Sequence, residues 1–398
     1  MKNNHSKNRF FSGLGRNVAV LGLVSFFNDV SSEMIYPILP LFLTITLGAS
    51  AELLGLIEGI AESTAATLKL FSGWLSDKLQ RRKSIAVSGY SLSALSRPLM
   101  AMAMVGWHVL LIRFTDRVGK GIRTAPRDAL IADSTEPEFR GKAFGFHRAM
   151  DHAGAVVGPL IAMAVLAFAP NNYRLVFWLA VIPALFSVSI LILGTKEIPP
   201  ERTAPVPSLS LRGFDRNFRY YLFVIILFTL GNSSDAFLLL RANQLGIPGA
   251  LIPVLWMILH AVKFVSSMPG GSLSDKIGRK RVIITGWIIY ALVYAAFAFS
   301  SESWQIWALF TVYGLFFGLT EGAERAFVTD LVNPELRGTA YGVFNFAIGI
   351  GALPASVIMG VLWHRFNPSI AFLFGATMAV GASLLLIAVR EERGEKKC

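Results

Sequence analysis

The chain alternates between long apolar stretches and short polar connections. Twelve stretches have about the 20 mostly apolar residues that a helix needs to cross a bilayer, and they lie at 17–45, 53–74, 84–104, 108–132, 143–167, 175–195, 220–240, 247–269, 282–300, 304–328, 340–362 and 369–389. Charges interrupt the first and the fourth, which are therefore weak on hydropathy alone. The pattern predicts an all-α polytopic membrane protein with twelve transmembrane helices.

One connection is much longer than the others and divides the chain in two. Residues 196–219 are polar and rich in proline, which is typical of a linker. We therefore expect an N-terminal tail at 1–16, a six-helix half at 17–195, this linker, a second six-helix half at 220–389, and a C-terminal tail at 390–398.

Composition excludes the main alternatives to a membrane protein. Of the 398 residues, 54% are apolar and only 16% are charged, whereas soluble domains carry about 25% charged residues. The net charge of +12 does not indicate nucleic-acid binding, because that needs a basic face on a polar fold. The single cysteine, Cys398, excludes a disulfide framework and a thiolate metal cluster. The first apolar stretch lacks a signal-peptidase site and is expected to be an uncleaved anchor.

The basic residues predict an orientation. With these boundaries, 24 of the 37 Lys and Arg residues lie on the side of the N-terminus, three lie on the opposite side and ten lie within spans. Cytoplasmic loops carry the excess of Lys and Arg. We therefore expect both termini in the cytoplasm and the chain in the cytoplasmic, or inner, membrane.

Two segments of the first half recur in the second. Residues 73–83 recur at 271–281, displaced by 198 positions, and residues 133–145 recur at 330–342, displaced by 197. Two matches at nearly one offset indicate parallel repeats with the same orientation. Transporters built of two six-helix halves have this symmetry, with the solute site in a central cavity between the halves.

The first repeated segment resembles a known family. Gly73, Asp77 and Arg81, with their counterparts Gly271, Asp275 and Arg279, follow the pattern G-x-L-x-D-x-x-G-R-[RK]-x, which resembles the signature loop of the major facilitator superfamily. The first copy has Gln80 where the family has glycine. The resemblance implies a transporter whose cavity is lined by spans one, four, seven and ten. It also implies a cytoplasmic gate formed by Asp77, Arg81, Asp275 and Arg279. Alternatively, the basic residues of the loop only fix the topology.

Charged residues inside the predicted spans are unusually numerous. Ten are acidic and ten are basic, and each costs roughly 2.5–3.5 kcal/mol at a span centre. They must therefore pair or face water. Five of them form a stripe on span four at helical spacing: Arg113, Arg117, Lys120, Arg123 and Arg127. The stripe is either a structural ion-pair network or part of a site that handles solute or protons.

The span-four segment strengthens the second interpretation. Val109, Arg113, Phe114 and Gly119 resemble the family pattern l-x-x-x-R-F-x-x-G-x-G, whose arginine is often tied to proton movement. Arg117 replaces a family glycine, and its counterpart in the second repeat is Gly314. Arg117 is therefore our favoured substrate contact. The full predicted substrate site is Arg117, Arg113, Lys120, Arg123, Asp235 and Glu321.

Proton coupling needs a group whose pKa changes between two access states. Asp29 and Glu33 lie four apart on span one and share a face, and Asp151 belongs to a cluster with His147, Arg148 and His152 on span five. We predict Asp29, Glu33 and Asp151 as proton carriers, the alternative being fixed counter-ions of the span-four arginines. We expect the two histidines to form hydrogen bonds rather than a metal site, and we predict no metal or cofactor.

Span five contains Gly154, Gly158 and Pro159 in a G-x-x-x-G-P pattern that resembles one found in proton-coupled exporters of the family. It favours export over uptake, although such glycines also serve helix packing alone.

The leading hypothesis is a monomeric secondary transporter in the lipid bilayer that exchanges protons for a small organic solute, outward. The basic stripe suggests that the solute carries an anionic group. The alternatives are proton-driven uptake of an organic anion, transport of a metal ion or chelate, and, remotely, a membrane-embedded enzyme or sensor. No nucleophile–base motif and no phosphate-binding loop is visible, so we expect no enzymatic activity.

Overall fold

The computed structural model describes residues 15–136, 140–198, 211–333 and 336–390. In these ranges the chain forms helices and connecting turns without a β-strand. Twelve helices follow one another, as predicted. They are α1 (Arg16–Ile35), α2 (Ala51–Leu79), α3 (Arg82–Met102), α4 (Gly106–Asp133), α5 (Arg140–Phe168), α6 (Tyr173–Gly194), α7 (Arg216–Gly231 with Ala236–Gln244), α8 (Ile252–Ile277), α9 (Arg279–Phe299), α10 (Ser303–Asp330), α11 (Arg337–Arg365) and α12 (Pro368–Ile387).

Nine of the helices in the described ranges are long and apolar enough to cross a membrane. α2, α3 and α4 fall short of that criterion because polar and charged residues interrupt them. The expected weakness of the fourth span is thus confirmed, while the first span meets the criterion together with its extension to Thr46. The polar helices are neighbours in the first half, which places most of the intramembrane charge there.

Two helices are irregular where they approach the centre of the molecule. Beyond Ile35, α1 continues to Thr46 as a 3₁₀ turn, a short α-helical turn and a π-helical turn. The helix is irregular here because Pro37 and Pro40 lack the N–H that a regular helix needs. α7 breaks between Gly231 and Ala236. The Tyr290 hydroxyl donates to the Gly231 carbonyl at 2.8 Å, which satisfies a backbone group that the break leaves free.

The helices form two six-helix halves joined along two seams. Within each half the third helix packs on the fourth and the sixth, and between the halves α2 packs on α11 and α5 packs on α8. The α2–α11 seam is tight. A Cβ built on Gly55 would lie 2.2 Å from the Ser356 carbonyl oxygen, and one on Gly59 would lie 2.9 Å from that of Leu353. These two glycines allow the backbones to approach.

The repeat is visible in matching contacts, and it corrects one assignment. Lys83 Nζ donates to the Ile192 and Thr195 carbonyls at the end of α6, and Lys280 Nζ donates to the Ile387 and Val389 carbonyls at the end of α12. Arg82 pairs with Asp133 as Arg279 pairs with Asp330. The counterpart of Arg279 is therefore Arg82 and not Arg81, which the sequence alignment suggested.

The physical reason is one inserted residue in the first turn. Two residues, Gln80 and Arg81, separate α2 from α3, whereas Gly278 alone separates α8 from α9. Gln80 has φ 53° and Gly278 has φ 100°, so both turns use the left-handed region. The insertion explains why the repeat offset is 198 before the turn and 197 after it.

Candidate functional site

The two halves meet in polar contacts near the middle of the helices. Glu33 Oε2 on α1 accepts a hydrogen bond from Trp256 Nε1 on α8 at 2.5 Å, and the Tyr36 and Trp256 rings lie 4.8 Å apart. Ser234, in the break of α7, donates to Glu58 Oε2 on α2 at 3.4 Å. This region between the halves is the central site.

The first arginine of the span-four stripe is fully engaged by a carboxylate. Arg113 Nη2 donates to both oxygens of Glu58, at 2.7 and 2.9 Å, and its Nε donates to Oε1 at 3.1 Å. The side chains are 6% and 1% exposed. A bidentate pair of this kind is among the strongest polar contacts in proteins, so Arg113 is neutralised inside its own half.

Arg117 repeats the same arrangement one turn further along. Its Nη2 lies 3.0 Å from Glu62 Oε1. The Glu62 side chain is 46% exposed, whereas that of Arg117 is 9% exposed. Arg117 is therefore not an isolated cation: it is paired with Glu62, and the Glu62 carboxylate is the more accessible member of the pair.

Two further basic residues lie between α3 and α4 instead of in the central site. Arg97 on α3 lies 3.4 Å from Asp116. Arg123 donates to Ser93 Oγ at 2.7 Å and its guanidinium lies 4.4 Å from the centre of the Tyr90 ring. Arg123 thus belongs to the α3–α4 packing, which does not support its predicted place in the substrate site.

Five charged residues at the centre form no ion pair with any described residue. They form the central cluster: Asp29, Glu33, Lys120, Asp235 and Lys263. Lys120 is exposed and the other four are half-buried. Because an unpaired charge inside a membrane is costly, these groups need water or a solute as a partner.

The central cluster is contributed by both halves. The charges that act on Glu33 come from Lys120 and Arg117 of the first half and Lys263 of the second. Asp235, at the break of α7, accepts a hydrogen bond from the Tyr313 hydroxyl at 2.7 Å. Lys263 lies over the Phe317 ring at 3.7 Å. The cluster thus combines carboxylates, ammonium groups and aromatic rings.

Asp151, the third predicted proton carrier, lies beside this cluster on α5. It accepts a hydrogen bond from Ser25 and lies 3.6 Å from His147 Nδ1 and 3.8 Å from Arg148 Nη1. Its charge acts on Asp29. Asp151, Asp29 and Glu33 therefore follow one another along the contact between α1 and α5.

Glu321, predicted in the substrate site, is paired within its own helix. It lies 3.4 Å from Arg325, and both side chains are about half exposed. It lies one helical turn beyond Phe317, whose ring Lys263 covers. Because it is paired with Arg325, Glu321 does not belong to the central cluster of charges without an ion pair.

The Gly154–Gly158 pattern on α5 brings that helix against α1. A Cβ on Gly154 would lie 2.9 Å from Asp29 Cβ, and one on Gly158 would lie 3.0 Å from Glu33 Cβ. The glycines thus serve close packing directly behind two members of the central cluster.

The predicted gate residues are only partly described. Asp275 lies 2.9 Å from Arg279, which also contacts Asp330 at 2.6 Å, and all three belong to the second half. Arg81 is exposed in the turn before α3, and the side chain of Asp77 lies outside the described residues.

Glu58 and Glu62 are two of the ten acidic residues inside the predicted spans, and neither was predicted as a site residue. The signal was present in the sequence, because they are four residues apart, as are Arg113 and Arg117. Equal spacing on two adjacent helices allows two parallel ion pairs. Trp256 and Lys263 could not have been placed, because their role depends on how the two halves meet.

This arrangement of two pseudo-symmetric six-helix halves around a central polar site defines a membrane transporter rather than an enzyme. The Major Facilitator Superfamily model matches residues 21–262 and 223–397. The chain is 34% identical to an uncharacterized MFS-type transporter of Methanocaldococcus jannaschii, covering 94% of this chain and 95% of that protein. The chain therefore belongs to the major facilitator superfamily.

More distant similarities agree with this fold. The chain is 24% identical to the multidrug resistance protein MdtH of Cronobacter sakazakii, over 89% of each chain. The solved structure of the nucleoside transporter NupG superposes with a TM-score of 0.76 at 13% identity, covering 94% of this chain and 98% of that one. At this identity the structural likeness concerns the fold alone.

Proposed function

We propose that this transporter exports a small organic solute in exchange for protons, by alternating access between its two halves. The observation that carries the proposal is the central cluster, where three carboxylates and two ammonium groups lack an ion-pair partner among the described residues. A site whose ionisable groups form no ion pair among the described residues suits a cargo that brings its own charge.

The sign of the coupling follows from which groups the solute contacts. A cationic group on the solute competes with protons for Asp29, Glu33 and Asp235, so proton binding releases the solute, which is antiport. An anionic group at Lys120 or Lys263 binds better once the carboxylates are protonated, which is symport. The excess of carboxylates over ammonium groups in the central cluster supports antiport.

The structure reduces the support for a purely anionic solute. Arg113 and Arg117 are paired with Glu58 and Glu62, and Arg123 contacts α3. Of the five predicted basic stripe residues, Lys120 is the one that belongs to the central cluster. We therefore propose a solute with a basic group at the carboxylates and an anionic or polar group at Lys120. The similarity to multidrug resistance proteins is consistent with export.

The second candidate is proton-driven uptake of an organic anion. Lys120 and Lys263 favour it, because both would attract an anion after protonation of Asp29 and Glu33.

The orientation, the gate and the oligomeric state complete the proposal. The excess of Lys and Arg in the loops on the side of the N-terminus supports an orientation with both termini in the cytoplasm, and we propose a monomer in the inner membrane. We propose that residues 17–195 and 220–389 are the two moving halves and that residues 196–219 are their linker. Asp77, Arg81, Asp275 and Arg279 would close the cytoplasmic side.

The test is proton flux in proteoliposomes that enclose a pH-sensitive dye, with cationic, zwitterionic and anionic solutes added in turn. Antiport predicts proton movement opposite to the solute and a response to solutes with a basic group. Proton movement in the same direction as an anion would establish the second candidate. No coupled flux with any class would remove the support for proton coupling.

A further inference from the structure

A groove of about 770 Å³ opens at the end of the molecule opposite the N-terminus. Its walls are the first turns of α2, the start of α4 and the last turns of α11, so it lies on the seam between the two halves. It is separate from the central site, since its lining includes none of the central cluster. Nothing in the transport mechanism proposed above uses this groove.

The floor of the groove is apolar and continues onto the outer face of α4. Leu53 and Val361 line the groove together with Trp107. Trp107, Leu111 and Phe114 follow at helical spacing and are 59%, 62% and 43% exposed. An exposed apolar face on a helix of a membrane transporter faces acyl chains, and a tryptophan at its end is typical of the membrane–water interface.

The rim of the groove carries one charge of each sign. Arg365 Nε lies 3.5 Å from Glu52 Oε1, and the two side chains are 72% and 34% exposed. At that distance and exposure both groups can accept a further partner. A head group with a phosphate and an ammonium complements this pair, because the phosphate suits Arg365 and the ammonium suits Glu52.

We propose that the groove binds a phospholipid with a primary ammonium in its head group, such as phosphatidylethanolamine. The phosphate contacts Arg365, the ammonium contacts Glu52, and one acyl chain lies along Leu53, Val361 and the Trp107 face. Since α2 and α11 belong to different halves, the bound lipid joins the halves at this end.

The experiment is native mass spectrometry of the full-length protein with an equimolar mixture of phosphatidylethanolamine, phosphatidylcholine and phosphatidylglycerol of identical chains. We expect phosphatidylethanolamine to be retained over phosphatidylcholine by about two- to fivefold, because its primary ammonium can donate a charge-assisted hydrogen bond to Glu52, whereas the quaternary ammonium of phosphatidylcholine has no N–H to donate. Glu52→Gln should abolish this preference, and Arg365→Gln should lower retention of all three lipids.

Three controls test the location of the site and the nature of the ligand. Arg219→Gln removes an exposed arginine at the other end of the molecule and should change nothing. Val361→Trp fills the groove with both charges intact and should lower retention of every lipid. Soluble phosphoethanolamine at millimolar concentration should not displace the lipid.

Four results would overturn the proposal. The first three are equal retention of the three lipids, a preference for phosphatidylethanolamine that survives Glu52→Gln, and displacement by soluble phosphoethanolamine, which would identify a site for a soluble solute. Preferential retention of phosphatidylglycerol would likewise contradict it, since that lipid has no ammonium group.

Discussion

Four of the buried charged side chains of α2, α3 and α4 have aromatic side chains at the equivalent positions of α8, α9 and α10. The equivalent pairs are Glu58 and Trp256, Arg97 and Tyr294, Arg113 and Phe310, and Asp116 and Tyr313. Packing confirms the alignment, because Gly89 meets Arg123 as Gly286 meets Thr320, and Gly121 meets Leu68 as Gly318 meets Ser266. One fold has thus filled the same volume with ion pairs in one half and with rings in the other.

The difference separates what the fold requires from what the function requires. A buried ion pair is often no more stable than well-packed apolar residues of similar size, and the second half supplies such residues. The Tyr290 and Tyr294 rings stack at 4.1 Å, and Tyr294 lies 6.2 Å from Tyr313. Stability therefore does not explain the charges of the first half, and we expect them to act instead on the electrostatics of the central site.

The largest effect should come from breaking the buried pair of the first half. Arg113→Leu leaves Glu58 charged and buried, and we expect a loss of about 3–5 kcal/mol in unfolding free energy. Phe310→Leu, the matched change in the second half, should cost only about 1 kcal/mol. Thermal unfolding of the purified variants, followed by tryptophan fluorescence, compares the two.

The double variant Glu58→Leu with Arg113→Leu sharpens this test. It imitates the apolar second half and should recover most of the lost stability. If the double variant is as unstable as Arg113→Leu alone, the two halves are not interchangeable in their packing and the comparison fails.

The next effect concerns coupling. Asp29→Asn with Glu33→Gln removes two carboxylates of the central cluster, and we expect solute-dependent proton flux to fall to the level of protein-free liposomes. Glu324→Gln is the matched control in the second half, because Glu324 accepts a hydrogen bond from Trp287 and glutamine retains an acceptor. Full coupled flux in the double variant would exclude both residues from proton transfer.

A smaller effect, on solute preference, is expected when a residue of the first half is replaced by its counterpart in the second half. Arg117→Gly copies Gly314 and leaves Glu62 without its partner at an exposed position. We expect the preference for solutes with a basic group over anionic ones to rise by about two- to fivefold. Competition between solutes in proteoliposomes measures this ratio, and an unchanged ratio would place Arg117 outside the binding site.

Hydropathy predicted the twelve helices and the two halves because each span must satisfy its backbone inside the membrane, which leaves few alternatives. The stripe on α4 was also visible from its spacing. The sequence did not show which cations of the stripe form no ion pair. In the structure Arg113 and Arg117 pair with carboxylates of α2, and Arg123 contacts Ser93 on α3. Such pairing depends on helix rotation and on side-chain conformers, neither of which a single sequence specifies.

The smallest effect tests the one-residue insertion between α2 and α3. Arg82 pairs with Asp133, whereas Arg81 is exposed. We expect Arg82→Ala to cost about 1 kcal/mol, which lowers the unfolding midpoint by about 2 °C. Arg279→Ala should have a similar effect in the second half, and Arg81→Ala should have almost none. If Arg81→Ala lowers the unfolding midpoint as much as Arg279→Ala does, and Arg82→Ala leaves it unchanged, the repeat offset of 198 continues through the turn. Arg81 would then be the residue that holds α3 to the end of α4.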